Sequence, residues 1–162
     1  MTMSVPTRTV ADLSYLLSHT GRVLATRMAA AFAEIGITPR AYCVLFHAME
    51  AERTQIELAE ISDLDKTTMV VTVDELEKAG LAERRPSSRD RRARIIHVTP
   101  KGERLAALGT EIADRVHREV LDALPEEQRG VFLAALTGLA EGHLATPVES
   151  PKPVRRSRQR RT

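Results

Sequence analysis

The stretch from Thr54 to Gly102 constrains this chain more than any other. Thr54-x-x-Glu57 is a capping box, in which the threonine oxygen accepts from a free backbone N–H and the glutamate reaches back, so a helix starts there. Ile56, Leu58, Ala59 and Ile61 supply its apolar side. Ser62-Asp63-Leu64 reads as a tight turn. Asp65 caps a further helix running to about Ala79, and Gly80 closes it. Met69, Val73 and Leu76 form its inner face, leaving Lys66, Thr67, Val70, Val71 and Asp74 outside. Two β-prone runs, Leu81 to Arg85 and Ala93 to Val98, flank Pro86-Ser87-Ser88-Arg89-Asp90, whose residue types favour a turn. Two helices at a tight turn, followed by an arginine-tipped hairpin, have one common physical use. The second helix enters a DNA major groove while the hairpin follows the backbone.

The flanks are helical. Val10, Leu13, Leu17, Leu24, Met28, Ala31, Phe32 and Ile35 recur at helical spacing, predicting a helix over 10–35 that Gly36 ends. Thr38-Pro39 starts a second helix, with threonine as cap and proline in the first turn, burying Tyr42, Leu45, Phe46 and Met49. Thr99-Pro100 starts a fifth by the same logic, with the stripe Leu105, Leu108, Ile112, Val116, Val120 and Leu124. Pro125 starts a sixth, facing Val131, Phe132, Ala135, Leu136 and Leu139 inwards. The long first, fifth and sixth helices carry more apolar surface than a small helix-turn-helix can cover, so a partner subunit is the simplest cover.

Charge is unevenly distributed. The net charge is only +2, yet residues 84–94 carry six arginines against one aspartate, and residues 150–162 carry six basic residues and no acid. An acidic body with two basic patches suggests focused contact with a polyanion. For the tail, a solubilising role is the competing reading, and residues 146–162 have too few apolar groups to order themselves. Aromatic residues make up 3% of the chain, against a stacking platform for single strands. No apolar run approaches the roughly 18 residues of a membrane span, and the start shows no signal peptide, so a cytoplasmic protein without membrane association is expected. One cysteine excludes an internal disulfide and a cysteine-rich zinc site. The histidines His19, His47, His97, His117 and His143 form no pair at four-residue spacing. Neither metal nor cofactor is expected. No phosphate loop, nucleophile elbow or framed carboxylate pair points to an enzyme.

The chain resembles the MarR family of bacterial winged-helix transcriptional regulators over about residues 8 to 145. The family's hairpin pattern is D-x-R, five residues, an apolar residue, threonine, two residues, glycine; Asp90, Arg92, Val98, Thr99 and Gly102 meet it in register. Asp65-Lys66-Thr67-Thr68 through Leu76-Glu77-Lys78-Ala79-Gly80-Leu81, ending in Glu83-Arg84, is the second matching element. The resemblance implies a mainly α fold with a small β-hairpin wing. This would be a winged helix-turn-helix of six helices in an intertwined homodimer through the N- and C-terminal helices. Residues 8–36 and 100–145 would dimerise, residues 37–99 would form the DNA-binding lobe, and residues 146–162 would be a disordered basic tail. The implied function is a repressor on a pseudo-palindromic duplex, with recognition helices roughly 34–36 Å apart, released by a small aromatic or phenolic ligand.

Carried over by residue, Arg92 would enter the minor groove with Asp90 orienting its guanidinium; a surface ion pair that merely holds the turn is the competing reading. Arg84, Ser87, Ser88, Arg89 and Arg91 would complete the wing's DNA contacts. Lys66, Thr67 and Thr68 would sit at the recognition helix's N-terminal end, with Thr68 equally a cap partner of Asp65. The chain departs from the family where arginine often stands: it has Val71 and Glu75 there, and no arginine anywhere on that helix. Val70 or Val71 against thymine methyls is therefore the expected readout. An effector pocket between the first, second and fifth helices would draw on His19, Arg22, Tyr42, Cys43 and His47. The alternative control is oxidation at Cys43, against which stands the apolar run around that thiol.

Overall fold

A computed structural model describes residues 9–148. The basic tail beyond residue 148, and the chain before residue 9, lie outside the described residues. The order is α1 (Thr9–Phe32), a 3-10 turn (Ala33–Ile35), α2 (Pro39–Glu50), α3 (Gln55–Ile61), α4 (Lys66–Lys78), β1 (Ala82–Pro86), β2 (Arg94–Val98), α5 (Pro100–Asp122) and α6 (Glu126–Glu141). The described chain is thus six helices with one antiparallel hairpin, the winged helix-turn-helix that the resemblance implied. Two compact units divide within α5, at Met1–Glu119 and Val120–Thr162. No single described helix is long and apolar enough to cross a membrane.

The predicted caps form. Thr38 accepts from the Ala41 amide at 3.0 Å with Pro39 in the first turn. The Thr54 amide donates to Glu57 at 2.6 Å while the Glu57 amide donates back to the Thr54 hydroxyl at 3.3 Å. Asp65 accepts from the Thr68 amide at 2.9 Å. Gly80, at φ 69°, turns the chain from α4 into β1 through the left-handed region that favours glycine.

In the first unit, α2, α3, α4 and the hairpin enclose one core. It is built from Val44, Leu45, Leu58, Met69, Val73, Leu76, Leu81, Ile96 and Val98, with Ala106 of α5 against it. Phe32 closes a second cluster with Ile112 and Ala113. Glycine at 102 is a packing requirement: a Cβ there would lie 2.1 Å from the Leu81 carbonyl oxygen and 2.8 Å from Val98 Cγ1. Thr99 stitches the same corner, donating to the Gly80 carbonyl at 2.8 Å and accepting from the Gly102 amide at 3.1 Å.

Several predicted core positions lie elsewhere. On α2 the buried strip is Ala41, Val44 and Leu45, because that side meets α4 and β2; Tyr42 is half-buried and Phe46 and Met49 are exposed. On α3 only Leu58 and Ala59 are buried, since a two-turn helix turns few side chains onto the core; Ile56 and Ile61 stand outside. On α5 the small residues Gly102, Ala106, Gly109 and Ala113 face inwards beside Ile112 and Val116, and Leu108 is exposed. The second unit buries none of α6: Val131 is 71% exposed, and Phe132, Leu133 and Leu139 are open as well. Among the described residues that unit contains only the end of α5 and α6 as regular elements, too little to cover an apolar stripe. Within it, Arg129 pairs with Asp122 at 2.8 Å.

Candidate nucleic-acid interface

The hairpin pairs Ala82 with Val98 through Pro86 with Arg94. Its base is widened by the strand-like link before α3, where the Ile96 amide donates to the Arg53 carbonyl at 3.1 Å and Thr54 bridges Ile95. The tip is folded on itself. Ser87, 8% exposed, accepts from the Arg89 and Asp90 amides at 3.0 and 3.4 Å. Asp90 accepts from the Arg92 amide at 2.9 Å, and its carbonyl accepts from the Ala93 amide.

These bonds redistribute the expected roles. Asp90 shapes the backbone at Arg92 instead of pairing with its guanidinium. Ser87 is inside the turn, its hydroxyl donating to Glu52 at 3.2 Å. Arg84 differs most: its guanidinium is held by Glu77, by Asp74 at 2.7 Å and by Gln55 at 3.2 Å, which ties β1 to α3 and α4. Bonds from Nε and both Nη atoms brace the lobe through this side chain. Arg85 pairs with Glu83. Among the described residues, no carboxylate lies within ion-pair distance of the exposed Arg89, Arg91, Arg92 and Arg94. Ser88 is exposed beside them.

On α4, Lys66, Thr67, Val70 and Val71 are exposed, as predicted. Thr68 is half-buried and its hydroxyl donates to Asp65 at 2.6 Å, the cap-partner alternative. That hydroxyl first, and the Thr68 amide next, hold the Asp65 carboxyl below its ordinary value. Ile56 of α3, 62% exposed, joins Lys66, Met69 and Val70 in lining a groove of about 540 Å³ between α3 and α4. An exposed cationic loop beside a helix face that presents Lys66, Thr67, Val70 and Val71 can meet a polyanion at its backbone and its base edges together.

The five effector candidates do not converge on one cavity. His19 bonds Arg22 at 3.2 Å on the surface of α1, with Tyr15 stacked on the imidazole at 5.2 Å. Tyr42 bonds Thr110 at 3.1 Å between the rings of Phe32 and Phe46. His47 bonds Glu50 at 3.0 Å; Arg53 bonds the same carboxylate at 2.9 Å and also the His47 carbonyl. His47 first, then Arg53, holds the Glu50 carboxyl below its ordinary value. Cys43 is half-buried. A shallow cavity of about 230 Å³ between α2 and α5 is lined by Phe46, Met49, Glu50, Ala106, Ala107 and Thr110, none of them a predicted ligand. It includes Thr110 and Glu50, the hydrogen-bond partners of Tyr42 and His47.

Three features escaped the sequence. Glu52 carries no motif, and its tie to the wing spans 35 residues. Asp74 and Glu77 look like ordinary surface charges until Arg84 comes between them. Ile56 follows a helical stripe and yet faces out.

The comparisons agree with this geometry. A model described as the MarR family matches residues 35–93. CouR from Rhodococcus jostii RHA1, solved bound to p-coumaroyl-CoA, is 30% identical at a TM-score of 0.72, over 85% of this chain and 96% of that one. The transcriptional repressor CouR bound to a 23-mer DNA duplex is 25% identical at 0.73, over 85% and 99%. A MarR-family transcriptional regulator from Rhodococcus sp. RHA1 is 28% identical at 0.73, over 83% and 96%. Fold, motif register and identity over nearly the whole of these relatives agree, and the chain belongs to the MarR family of transcriptional regulators.

Proposed function

We propose that this chain is a homodimeric, sequence-specific repressor that binds a pseudo-palindromic DNA duplex and lets go when a small aromatic acid or its thioester binds. The observation that carries the DNA reading is the wing tip: four exposed arginines without a carboxylate partner among the described residues, on and just after a turn braced by Ser87 and Asp90, beside the open face of α4. In this reading Arg92 enters the minor groove, and Ser88, Arg89 and Arg91 hold phosphates. Lys66 and Thr67 contact the backbone at the start of α4, while Val70 and Val71 pack on thymine methyls. Residues 37–99 form the reading lobe, and residues 8–36 and 100–145 pair with a second copy. The exposed apolar side chains of α1 (Leu13, Leu16, Leu17) and of α6 (Val131, Phe132, Leu133) support that pairing. The ligand reading is supported by CouR, whose solved complex holds p-coumaroyl-CoA, and by the cavity between α2 and α5.

A footprint on the DNA just upstream of the protein's own coding region, repeated with aromatic acids and their coenzyme A thioesters, tests both halves. Two protected half-sites about one helical turn apart are expected, lost on adding one such compound. Full protection in the presence of every compound would remove the ligand half, and no protection at any duplex would remove the DNA half. Oxidation at Cys43, the other control considered, has no feature of the described structure in its favour.

A further inference from the structure

Glu52 stands in the short link between α2 and α3, a place with no direct claim on DNA. Its carboxylate nevertheless accepts from the Ser87 hydroxyl at 3.2 Å and from the Ser88 amide at 3.3 Å, so an acid is bonded to the base of the cationic turn. The link that carries it is fixed on both sides. Arg53 is bonded to Glu50 and to the His47 carbonyl, and its own carbonyl accepts from Ile96 of β2. Thr54 bridges Ile95 and opens the α3 capping box. Glu52 is thus carried on a link held at its next two residues, and Ser87 passes its hold onward by accepting from the Arg89 and Asp90 amides.

Resting on the DNA-binding reading above, we propose that Glu52 is a positioning residue for DNA binding, a latch that sets the angle at which the wing presents Arg89, Arg91 and Arg92. Hydrogen bonding from Ser88 first, then from Ser87, holds the Glu52 carboxyl below its ordinary value, so the latch is ionised near neutrality.

The sign of the effect separates a latch from plain charge. A carboxylate beside a DNA-facing loop repels phosphate, so on charge alone removing it tightens binding. A latch predicts the reverse for a variant that loses the acceptor, and no loss for one that keeps an acceptor without the charge. The experiment is a salt titration of binding to a labelled duplex recovered by in vitro selection on the wild-type protein, comparing Glu52→Ala, Glu52→Gln and Ser87→Ala. The expected result is that Glu52→Ala and Ser87→Ala weaken binding by at least about fivefold. Both should flatten the slope of log K against log salt by about 0.9 for each phosphate that the wing no longer neutralises. Glu52→Gln binds as tightly as wild type or tighter. Glu52→Ala binding as well as wild type, or Glu52→Gln falling together with Glu52→Ala, overturns the latch. Glu52→Asp, which keeps the charge and withdraws the acceptor, keeps the test decisive if Glu52→Ala does not fold: weaker binding is expected, and unchanged binding overturns the latch. The wild-type titration tests the DNA-binding reading by itself, so the two failures are distinguishable.

Discussion

Arg84 and Arg92 lie eight positions apart on one hairpin and have opposite fates. Arg84 is spent on Asp74, Glu77 and Gln55, and Arg92 projects free from a turn that Asp90 holds at the backbone. Arg84→Ala therefore acts on the fold. It strips three acceptors of a half-buried partner and should lower unfolding stability by about 1–2 kcal/mol, read by thermal denaturation, with the salt dependence of DNA binding unchanged. Arg92→Ala does the opposite. It should cost about 1–3 kcal/mol of binding per half-site with the melting temperature unmoved, read by titration against the selected duplex. The difference between these arginines is invisible in composition, because Arg84 finds its acceptors 7, 10 and 29 residues away. Residue types and local spacing located the basic cluster; only the tertiary contacts divide it into brace and probe.

At the scale of elements, the caps were the most legible part of the chain, since each is decided within four residues. Thr38, Thr54 and Asp65 all accept from the predicted helix starts. Which stripe faces the core was less legible, because that depends on the neighbour against which a helix lies. Ile56 and Ile61 on α3, and Phe46 and Met49 on α2, fit a helical repeat and are nevertheless exposed. The caps carry a pH dependence. Glu57, bonded by the Thr54 amide and hydroxyl, and Asp65, bonded by Thr68, have carboxyls lowered from 4.5 and 3.8 respectively. A lowered folded value means that the unfolded chain takes up the proton first. Their stabilisation is therefore fully present above the unfolded values and is lost as pH falls through the folded ones. Melting temperature should be flat above about pH 5 and decline below it. Asp65→Asn should reduce that decline, which a series of melts across the acid range will show; an undiminished decline would mean that the α4 cap carries none of it.

At the scale of the whole molecule, the sequence pointed to a second copy through apolar stripes too extensive for a small helix-turn-helix to cover. In the described structure Leu13, Leu16 and Leu17 of α1, and Val131, Phe132 and Leu133 of α6, remain open. Two protomers would carry two wings, and the binding of both should show in ionic strength. If each neutralises about four phosphates, log K should fall with log salt at a slope of roughly −7. The residues expected to bind an effector were the least legible part. His19 with Arg22, Tyr42 with Thr110, and His47 with Glu50 turned out to be separate local pairs, since a residue's chemistry does not say which cavity it faces. The most direct test of the DNA-binding account is a hydroxyl-radical footprint of the purified dimer on its selected duplex, run beside Arg92→Ala. Two symmetric half-sites about one helical turn apart, with minor-groove protection at their outer edges that disappears in the variant, is the predicted pattern. Protection that is single, or that survives unchanged without the Arg92 guanidinium, would contradict it.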